Sequence, residues 1–352
     1  MFSNINNNGF PAEWDAQDAV MLAWPHAGTD WAYMLDEVTE CYNQMVESIL
    51  YNDDDDEQVI VLAADAGEVR AGSREHLRDD PRLTILEVPF NDTWVRDYGP
   101  LAVRTADGAT ALADFTFNAW GMKFAADCDN MVNRRLQQAG LWARPLQNHL
   151  DMVLEGGSIE SDGNGTIMTT TSCLLEGNRN PWFTREQIED ELKRRLGCRQ
   201  VLWIEHGSLA GDDTDGHIDT LARFAPGGVI LYVGCDDPDD EHFEELQRME
   251  QQLKDAVDAD GNHYHLIKLP MPDAIYDEVS RLPATYANFL IMNHKVLVPI
   301  YGDAANDLAA CEAISQAFPG REVKPVYCNA LICQHGSLHC ATMQLPAGTI
   351  RK

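Results

Sequence analysis

The chain has 352 residues, 45% of them hydrophobic and 24% charged, which is the composition of a globular protein with a sizeable core. Its formal net charge of −31 argues against nucleic acid and anionic membranes as partners, because both would be repelled, and it would attract small cations. Acidic residues cluster at 53–57 and 236–245, and we expect most of them to form a solvated surface.

The sequence indicates neither a secretory signal nor a membrane helix, and it has no CxxC pair. The N-terminus has no basic run before an apolar stretch, and no segment approaches the roughly 18 to 20 apolar residues of a membrane helix. The nine cysteines are scattered without a CxxC pair, so neither a zinc site nor a dithiol is indicated. We expect a cytoplasmic protein with reduced thiols. A homodimer is compatible with the sequence.

In chain order, the hydrophobic pattern predicts about five similar units, each a strand hairpin followed by a helix and another strand. The first is incomplete, and the second is recognised by a hairpin with its turn at 106–108. The segments are 20–25, 30–50 and 58–64 in the first unit; 99–117 in the second; 157–175, 184–197 and 199–205 in the third; 221–235, 239–257 and 263–270 in the fourth; and 288–303, 307–318 and 321–328 in the fifth.

The third unit carries the clearest local signals. Thr184 is the predicted N-cap of its helix, with Gln187 three residues later, and Gly197 is the predicted C-cap. Units of this size cannot bury their own apolar strands, so they must pack in a line or around an axis. Chemistry at several unit ends would favour a closed ring, in which those ends converge.

Two early polar segments are candidates for a site. The segment NDTWVRDYGP, residues 91–100, follows an apolar strand and contains Asp92, Trp94, Arg96 and Asp97. It is typical either of a site or of a strand-end loop with an Arg–Asp ion pair. The segment LEGGSIE, residues 154–160, places Glu155 before two glycines, which either begin a hairpin or let backbone approach a ligand.

The segment GDDTDGHIDT, residues 211–220, combines four carboxylates with His217. In an extended strand His217 and Asp219 would point the same way, and a carboxylate beside an imidazole raises its pKa, which suits acid–base catalysis. A solvated acidic loop or a metal site would give the same pattern.

The segment HGSLHCATMQ, residues 335–344, distinguishes Cys340 from the other eight cysteines, because its neighbours are polar and rich in glycine. A cationic histidine nearby would lower the pKa of its thiol and favour the reactive thiolate.

Together these residue types indicate chemistry on a planar cation. Paired carboxylates match the donors of a guanidinium group, and holding that group leaves its central carbon open to attack. Thiolate attack, loss of ammonia and hydrolysis of an S-amidino intermediate would follow, with a histidine moving protons. Such a reaction requires neither a metal nor an organic cofactor.

The segments WVRDYGP, LEGGSIE, TDGHID, NFLIMN and LHCATMQ resemble those of the agmatine deiminases, whose wider group includes the bacterial-type peptidylarginine deiminases. The resemblance extends from about Pro11 to Gln344. It implies one catalytic domain over residues 1–352, of the α/β class, with five pseudo-symmetric units forming an α/β propeller. It also implies a hydrolase that converts agmatine to N-carbamoylputrescine and ammonia, with a small cation as its partner.

The resemblance also implies roles for seven residues. Catalysis would fall to Cys340 as the nucleophile, His217 as the general acid–base, and Asp97 and Asp219 as the carboxylates that grip the guanidinium. Substrate binding would fall to Trp94 and Glu155, with Glu155 also supporting His217, and to Asp213 for the distal amine.

Substrate choice stays open at this point. The lead-in to the cysteine is HGSLHC where the family commonly has GGGNIHC, so His335 and Ser337 depart from the pattern. Free or peptidyl arginine, an amidino-transfer reaction or a metal-dependent hydrolysis are the alternatives. The acidic segment at 211–215 favours an amine at the far end of the substrate, and no HExxH supports a metal. An added C-terminal domain and an export signal, expected of a secreted peptidylarginine enzyme, are not evident.

Overall fold

Sixteen strands run through the computed structural model, which describes residues 9–51 and 57–351. Numbered in chain order, they are β1 (Gln17–Ala23), β2 (Gln58–Ala63), β3 (Leu83–Glu87), β4 (Leu101–Arg104), β5 (Thr110–Thr116), β6 (Gln147–Val153), β7 (Ile159–Ser161), β8 (Thr166–Thr170), β9 (Gln200–Ile204), β10 (Ala222–Ala225), β11 (Val229–Val233), β12 (His265–Leu269), β13 (Leu290–Ile291), β14 (Lys295–Ile300), β15 (Glu322–Tyr327) and β16 (Met343–Pro346).

The helices connect these strands. They are α1 (Leu35–Ile49), α2 (Ala66–Gly72), α3 (Val95–Tyr98), α4 (Ala119–Met122), α5 (Val132–Gln138), α6 (Thr171–Leu174), α7 (Arg185–Leu196), α8 (Phe243–Asp255), α9 (Ala304–Ala317) and α10 (Asn329–Ile332). In the described part of the chain, no helix has the length and apolar character needed to span a membrane.

The strands form five separate sheets with one common order. In each sheet an antiparallel hairpin is followed by a parallel strand, and the parallel crossover contains a helix. The sheets are β16-β1-β2-β3, β4-β5-β6, β7-β8-β9, β10-β11-β12 and β13-β14-β15. The fold is therefore mixed α/β and built from five similar units, as the hydrophobic pattern predicts.

The third unit shows how closely local signals set the element ends. Helix α7 begins at a capping box, in which the Thr184 side chain accepts from the Gln187 backbone and the Gln187 side chain accepts from the Thr184 backbone. It ends at Gly197, whose φ of 70° is the left-handed conformation that glycine adopts without penalty. Strand β8 is buried throughout, since neighbouring elements cover both faces of its sheet.

The first unit differs from its prediction because its hairpin uses both ends of the chain. The antiparallel partner of β1 is β16, so that Val20 lies opposite Gln344 on one side and Val59 on the other. This pairing joins residues more than 300 positions apart, and periodicity within a short window cannot detect it. The last strand thereby brings the segment that contains Cys340 against the first sheet.

The two predicted acidic runs have different environments. The run at 236–245 is largely exposed. Of the run at 53–57, only Glu57 lies within the described residues, and it is fully buried, with one carboxylate oxygen accepting from the Asn293 backbone at 2.8 Å. Glu57 is therefore a structural carboxylate and departs from the solvated surface that its neighbours in sequence predict.

Candidate active site

Five of the seven candidate residues, together with Asn288, occupy one equivalent place in the five units, shortly before the first strand of each hairpin. Asp97 precedes β4, Glu155 precedes β7, His217 and Asp219 precede β10, Asn288 precedes β13 and Cys340 precedes β16. Positions far apart in sequence are thus brought to one buried location, because each unit contributes the same end of its hairpin.

Gly157 marks the point at which three of these side chains meet. A Cβ atom on Gly157 would lie 2.7 Å from His217 Nδ1, 2.9 Å from Asp97 Oδ1 and 3.0 Å from Asp219 Oδ2. Any larger residue would collide with all three, so glycine is required. Two further observations indicate a ligand position here, since His217 Nδ1 and Asp219 Oδ1 are buried without hydrogen-bond partners among the described residues.

Asp97 is fixed by two donors. Its Oδ1 accepts from the Gly157 backbone and its Oδ2 from the indole of Trp120, both at 2.9 Å. Burial raises the pKa of Asp97 to about 6, and the nearby charge of His217 limits the rise. The carboxyl group is therefore mostly ionised at neutral pH and can hold a cation.

His217 lies between two carboxylates. Its Nε2 is 3.2 Å from Glu155 Oε2 and its Nδ1 is 3.6 Å from Asp97 Oδ1. Burial alone would lower the pKa of His217, but the charge of Asp97, the neighbouring Cys173 and the hydrogen bond to Glu155 outweigh burial and raise that pKa well above its usual value. The imidazole is thus a proton donor at neutral pH, with Nδ1 facing the point marked by Gly157.

The strand predicted around His217 is wrong. A 3₁₀ turn, Ile218–Thr220, follows His217, so alternation along a strand does not explain why His217 and Asp219 meet. Both side chains nevertheless lie against Gly157.

Glu155 contacts the imidazole rather than the cavity. It is fully buried, and its Oε2 also accepts from Arg179 Nε at 2.7 Å. Burial raises the pKa of Glu155, but the hydrogen bond to His217 and the charge of Arg179 lower it overall. Glu155 therefore orients and charges His217, and it is absent from the cavity lining in the described chain.

Asp219 is held by His339, whose Nδ1 lies 2.8 Å from Asp219 Oδ2. The other ring nitrogen, Nε2, lies 2.8 Å from Glu13 Oε1, and Glu13 in turn pairs with Arg96 and Arg223. Burial raises the pKa of Asp219, but the hydrogen bond from His339 outweighs burial and lowers that pKa overall. Asp219 is consequently ionised.

Cys340 lies beside Asp219, with Sγ 3.6 Å from Asp219 Oδ2. The side-chain nitrogen of Asn288 donates to Sγ at 3.2 Å, and Asn288 Oδ1 accepts from the Cys340 backbone. Burial and the negative charges of Asp219 and Asp97 raise the pKa of this thiol well above its usual value. The prediction that a histidine lowers the pKa of Cys340 is thus wrong for this state, because burial and the charges of the two carboxylates raise that pKa.

A cavity of about 270 Å³ leads from Cys340 to the surface. It contains four carboxylates and four aromatic side chains, and no lysine or arginine lines it within residues 9–51 and 57–351. The lining residues are Asp30, Tyr33, Asp92, Trp94, Asp97, Trp120, Phe124, Asp213, Thr214, Cys333, Gln334, His335, Gly336 and Cys340. Such a lining suits a ligand with an apolar middle and positive charge at both ends.

Asp213 is the one acid of the segment 212–215 that lines this cavity. Asp212 instead accepts from Thr214 and from the Gly216 backbone, and Asp215 pairs with Arg179 and Lys123. These bonds fix the loop and leave Asp213 for a ligand. Burial raises the pKa of Asp213 above its ordinary value.

Trp94 forms one wall of the cavity. A Cβ atom on Gly336 would lie 2.3 Å from the Trp94 ring, so the ring packs directly on glycine backbone. Trp31 supports the other side, with its ring centroid 5.8 Å from that of Trp94. Ser337, which stands before Cys340 where the family commonly has asparagine, also has a partner, since its hydroxyl is 2.9 Å from Tyr301 Oη.

Sequence reasoning overlooked four residues that contact the candidate side chains, namely Trp120, Arg179, Asn288 and His339. Asn288 could have been found from the repeat, because it stands just before the hairpin of the fifth unit, at the place where other units carry Asp97, Asp219 and Cys340. Trp120 lies in the short helix α4 and Arg179 on the irregular segment between α6 and α7, and no sequence signal marks either residue.

Two groups of described side chains have donor sets that a metal ion could use: Glu155, Cys173 and His217, and Glu13, Glu160 and His339. In both groups an arginine already neutralises the carboxylates, Arg179 in the first and Arg223 in the second. A guanidinium group thus provides the positive charge that a metal would otherwise supply.

Comparison with known proteins agrees with this geometry. The profile of the Porphyromonas-type peptidyl-arginine deiminase family matches residues 9–346. A Shewanella protein named "Putative agmatine deiminase" is 34% identical, over 97% of this chain and 96% of its own.

Two solved structures are similar along nearly the whole chain. A "Putative Arginine Deiminase" from Porphyromonas gingivalis is 51% identical with a TM-score of 0.91, over 98% of this chain and 100% of that one. The Campylobacter jejuni C315S agmatine deiminase with substrate bound is 35% identical with a TM-score of 0.89, over 99% of each chain. The chain therefore belongs to the Porphyromonas-type peptidyl-arginine deiminase family.

Proposed function

We propose that this protein hydrolyses agmatine to N-carbamoylputrescine and ammonia through a covalent intermediate on Cys340. One observation carries the proposal: a buried cysteine flanked by two carboxylates opens into a cavity whose described lining is acidic and aromatic, without lysine or arginine. The C. jejuni relative solved with its substrate, named an agmatine deiminase, supports the same chemistry.

The guanidinium group of the substrate binds between Asp97 and Asp219. Both carboxylates are ionised at neutral pH and meet beside Gly157, so a planar guanidinium group can donate N–H hydrogen bonds to one carboxylate from each of two edges. Trp94 and Trp120 enclose the methylene chain, and Asp213 pairs with the distal ammonium. An α-carboxylate at this end, as in free arginine, would face acids instead of a cation.

Substrate binding activates the thiol. In the free enzyme Asp219 and Asp97 raise the pKa of Cys340, so the sulfur keeps its proton. A guanidinium group bound between those carboxylates offsets their charge, and the thiol then releases its proton to solvent. The nucleophile is thereby formed mainly when substrate is present.

The first chemical step joins the Cys340 sulfur to the central guanidinium carbon. The imidazolium of His217 gives its Nδ1 proton to the leaving nitrogen, the C–N bond breaks, and ammonia departs. A cationic S-amidino group stays on the enzyme, and Glu155 keeps the now neutral imidazole in place.

The second step consumes water. Water attacks the same carbon, and neutral His217 takes one of the two protons released. The other goes to the sulfur as the C–S bond breaks, so the enzyme returns to a thiol and an imidazolium. The proton that the thiol released earlier converts the departed ammonia to ammonium, so the overall reaction is balanced in atoms and in charge.

The five similar sheets support a closed five-unit α/β propeller comprising residues 1–352 as one domain. Ring closure is the simplest reason for β16 to complete the first sheet, and for candidate residues of all five units to meet. We further propose a cytoplasmic location, which the nine free cysteines support, while a homodimer stays a prediction.

The test is ammonia release from agmatine, free arginine and a peptidylarginine in parallel, with chelator present and product masses recorded. Turnover of agmatine to N-carbamoylputrescine, with little from the other two, is the expected result. Preferential turnover of arginine or of the peptide would overturn the substrate, and loss of activity with chelator would overturn the metal-free mechanism.

A further inference from the structure

His335 has a backbone conformation that histidine rarely adopts. Its φ is 66°, in the left-handed region, which costs about 1 kcal/mol or more for a residue other than glycine. Five non-glycine residues of the described chain have positive φ, and their segments border the cavity: Ala119, Trp120, Met122, Asp215 and His335. Strain of this kind persists where surrounding contacts hold it, so the contacts of His335 are informative.

The ring of His335 is held by one short hydrogen bond. Its Nδ1 lies 2.6 Å from the carbonyl oxygen of Gly211. A carbonyl oxygen only accepts, so Nδ1 must carry the hydrogen. In the neutral ring Nε2 then has a lone pair and can only accept, which means that the fold has fixed the tautomer.

The loop that holds the ring is itself constrained. Gly211 has a φ of 82°, and a Cβ atom there would lie 2.3 Å from the Arg281 carbonyl oxygen, so only glycine fits. Two residues later the same loop carries Asp213, which lines the cavity together with His335. The hydrogen bond from His335 to Gly211 therefore ties the loop of Cys340 to the loop of Asp213.

We propose that His335 is a specificity-determining residue, whose Nε2 accepts a hydrogen bond from the distal ammonium of the substrate beside Asp213. This inference rests on the proposed function. An ammonium group has three N–H donors, and one carboxylate seldom satisfies them all. A fixed lone pair next to Asp213 supplies a second acceptor for the same group.

The same arrangement discriminates between substrate classes. A methyl group in place of the ammonium would leave Nε2 and Asp213 without a donor, and a carboxylate would meet acceptors only. The chemical class that fits is therefore a guanidino compound that ends in a primary amine, four carbons from the guanidinium in agmatine.

The experiment compares agmatine with n-butylguanidine, which lacks the amine, in the wild-type enzyme and in His335→Gly. Glycine suits the left-handed backbone, so this variant removes the ring without adding strain. We expect the ratio of the two kcat/KM values, agmatine over n-butylguanidine, to fall about 3- to 10-fold, mainly through the KM for agmatine. His335→Gln, which restores an accepting atom, should recover part of the ratio.

A double-mutant cycle with Asp213→Asn sharpens the test, because two residues that bind one ammonium give non-additive losses. Equal losses on both substrates in His335→Gly would overturn the inference alone and reduce His335 to a loop support. An unchanged ratio would overturn it too. No agmatine turnover by the wild-type enzyme would instead overturn the proposed function, and this inference with it.

Discussion

The two ends of the cavity are built differently. At the inner end Asp97 and Cys340 line the cavity, with His217 and Asp219 packed behind them, and all four residues are at most 5% exposed. At the outer end Asp30, Asp213 and His335 are only partly buried or exposed; Asp30 begins a short 3₁₀ helix, and the other two residues lie on loops. In the proposed mechanism the buried inner end carries out the reaction on the guanidinium group, whereas the more exposed outer end selects which guanidinium compound is bound.

The electrostatics of the two ends differ as well. The negative charges of the inner carboxylates are largely offset by His217, Arg179 and Arg223. A further cation is therefore needed only where the guanidinium group is proposed to bind. The outer carboxylates lack such partners in the lining and give the cavity mouth its negative character. Changes at the inner end should therefore affect every guanidinium substrate, and changes at the outer end only those with a distal amine.

The largest effect is expected from Cys340→Ala. Loss of the sulfur removes the bond-forming atom, so kcat for agmatine should fall at least about 10⁴-fold while the circular dichroism spectrum and binding are retained. Cys311→Ala, at a half-buried cysteine on α9, is the matched control and should keep wild-type turnover. Substantial residual activity in Cys340→Ala would remove the nucleophile from the account.

Asp97→Asn should lower kcat/KM by about 10² to 10³-fold on agmatine and n-butylguanidine alike, because both present the same guanidinium to the inner end. Asp114→Asn is the control, since Asp114 is a buried carboxyl in the same unit that bonds Asn133 instead of the cavity. Steady-state kinetics on both substrates test this prediction. A loss of kcat/KM confined to agmatine would contradict the assignment of Asp97 to an inner end that acts on every guanidinium substrate.

Asp213→Asn should lower kcat/KM for agmatine by about 10- to 100-fold and should lower it much less for n-butylguanidine, because only agmatine pairs with the outer carboxylate. Asp236→Asn removes one negative charge from the exposed surface and controls for the overall field. If both outer and surface variants lose activity equally, long-range attraction rather than a specific contact governs substrate choice.

The acid limb of the pH profile gives the smallest of these effects. The pKa of Asp97 is raised to about 6 by burial, so the carboxylate that we propose binds the guanidinium group is ionised above that pH and protonated below it. We expect kcat/KM to fall about tenfold per pH unit below 6. The limb should persist with n-butylguanidine, and a limb seen only with agmatine would place the titrating group at the outer end.

Much of the fold is predictable from sequence because its signals are local. The helix caps at Thr184 and Gly197, the hairpin turns and the alternation of strand and helix all depend on residues within one unit. The pairing of β1 with β16 and the 3₁₀ turn after His217 are not predictable in this way, since long-range contacts decide them.

The site is predictable to the extent that it lies in short motifs. Cys340, Asp97, His217 and Asp219 meet as expected, and Asp213 is singled out from its neighbours only by the bonds that occupy Asp212 and Asp215. The pKa of the thiol was mispredicted because it depends on carboxylates from other units. His339 acts through a contact with Asp219 that sequence spacing does not encode, whereas Asn288 occupies a place that the repeat does mark.

The most direct measurement is the mass of the Cys340 peptide after rapid acid quench of the enzyme during turnover of agmatine. The account predicts that this peptide gains the mass of one amidino group, that the adduct disappears as substrate is exhausted, and that Cys340→Ala carries none. An unmodified Cys340 during rapid turnover, or an adduct on another cysteine, would contradict the covalent mechanism at its centre.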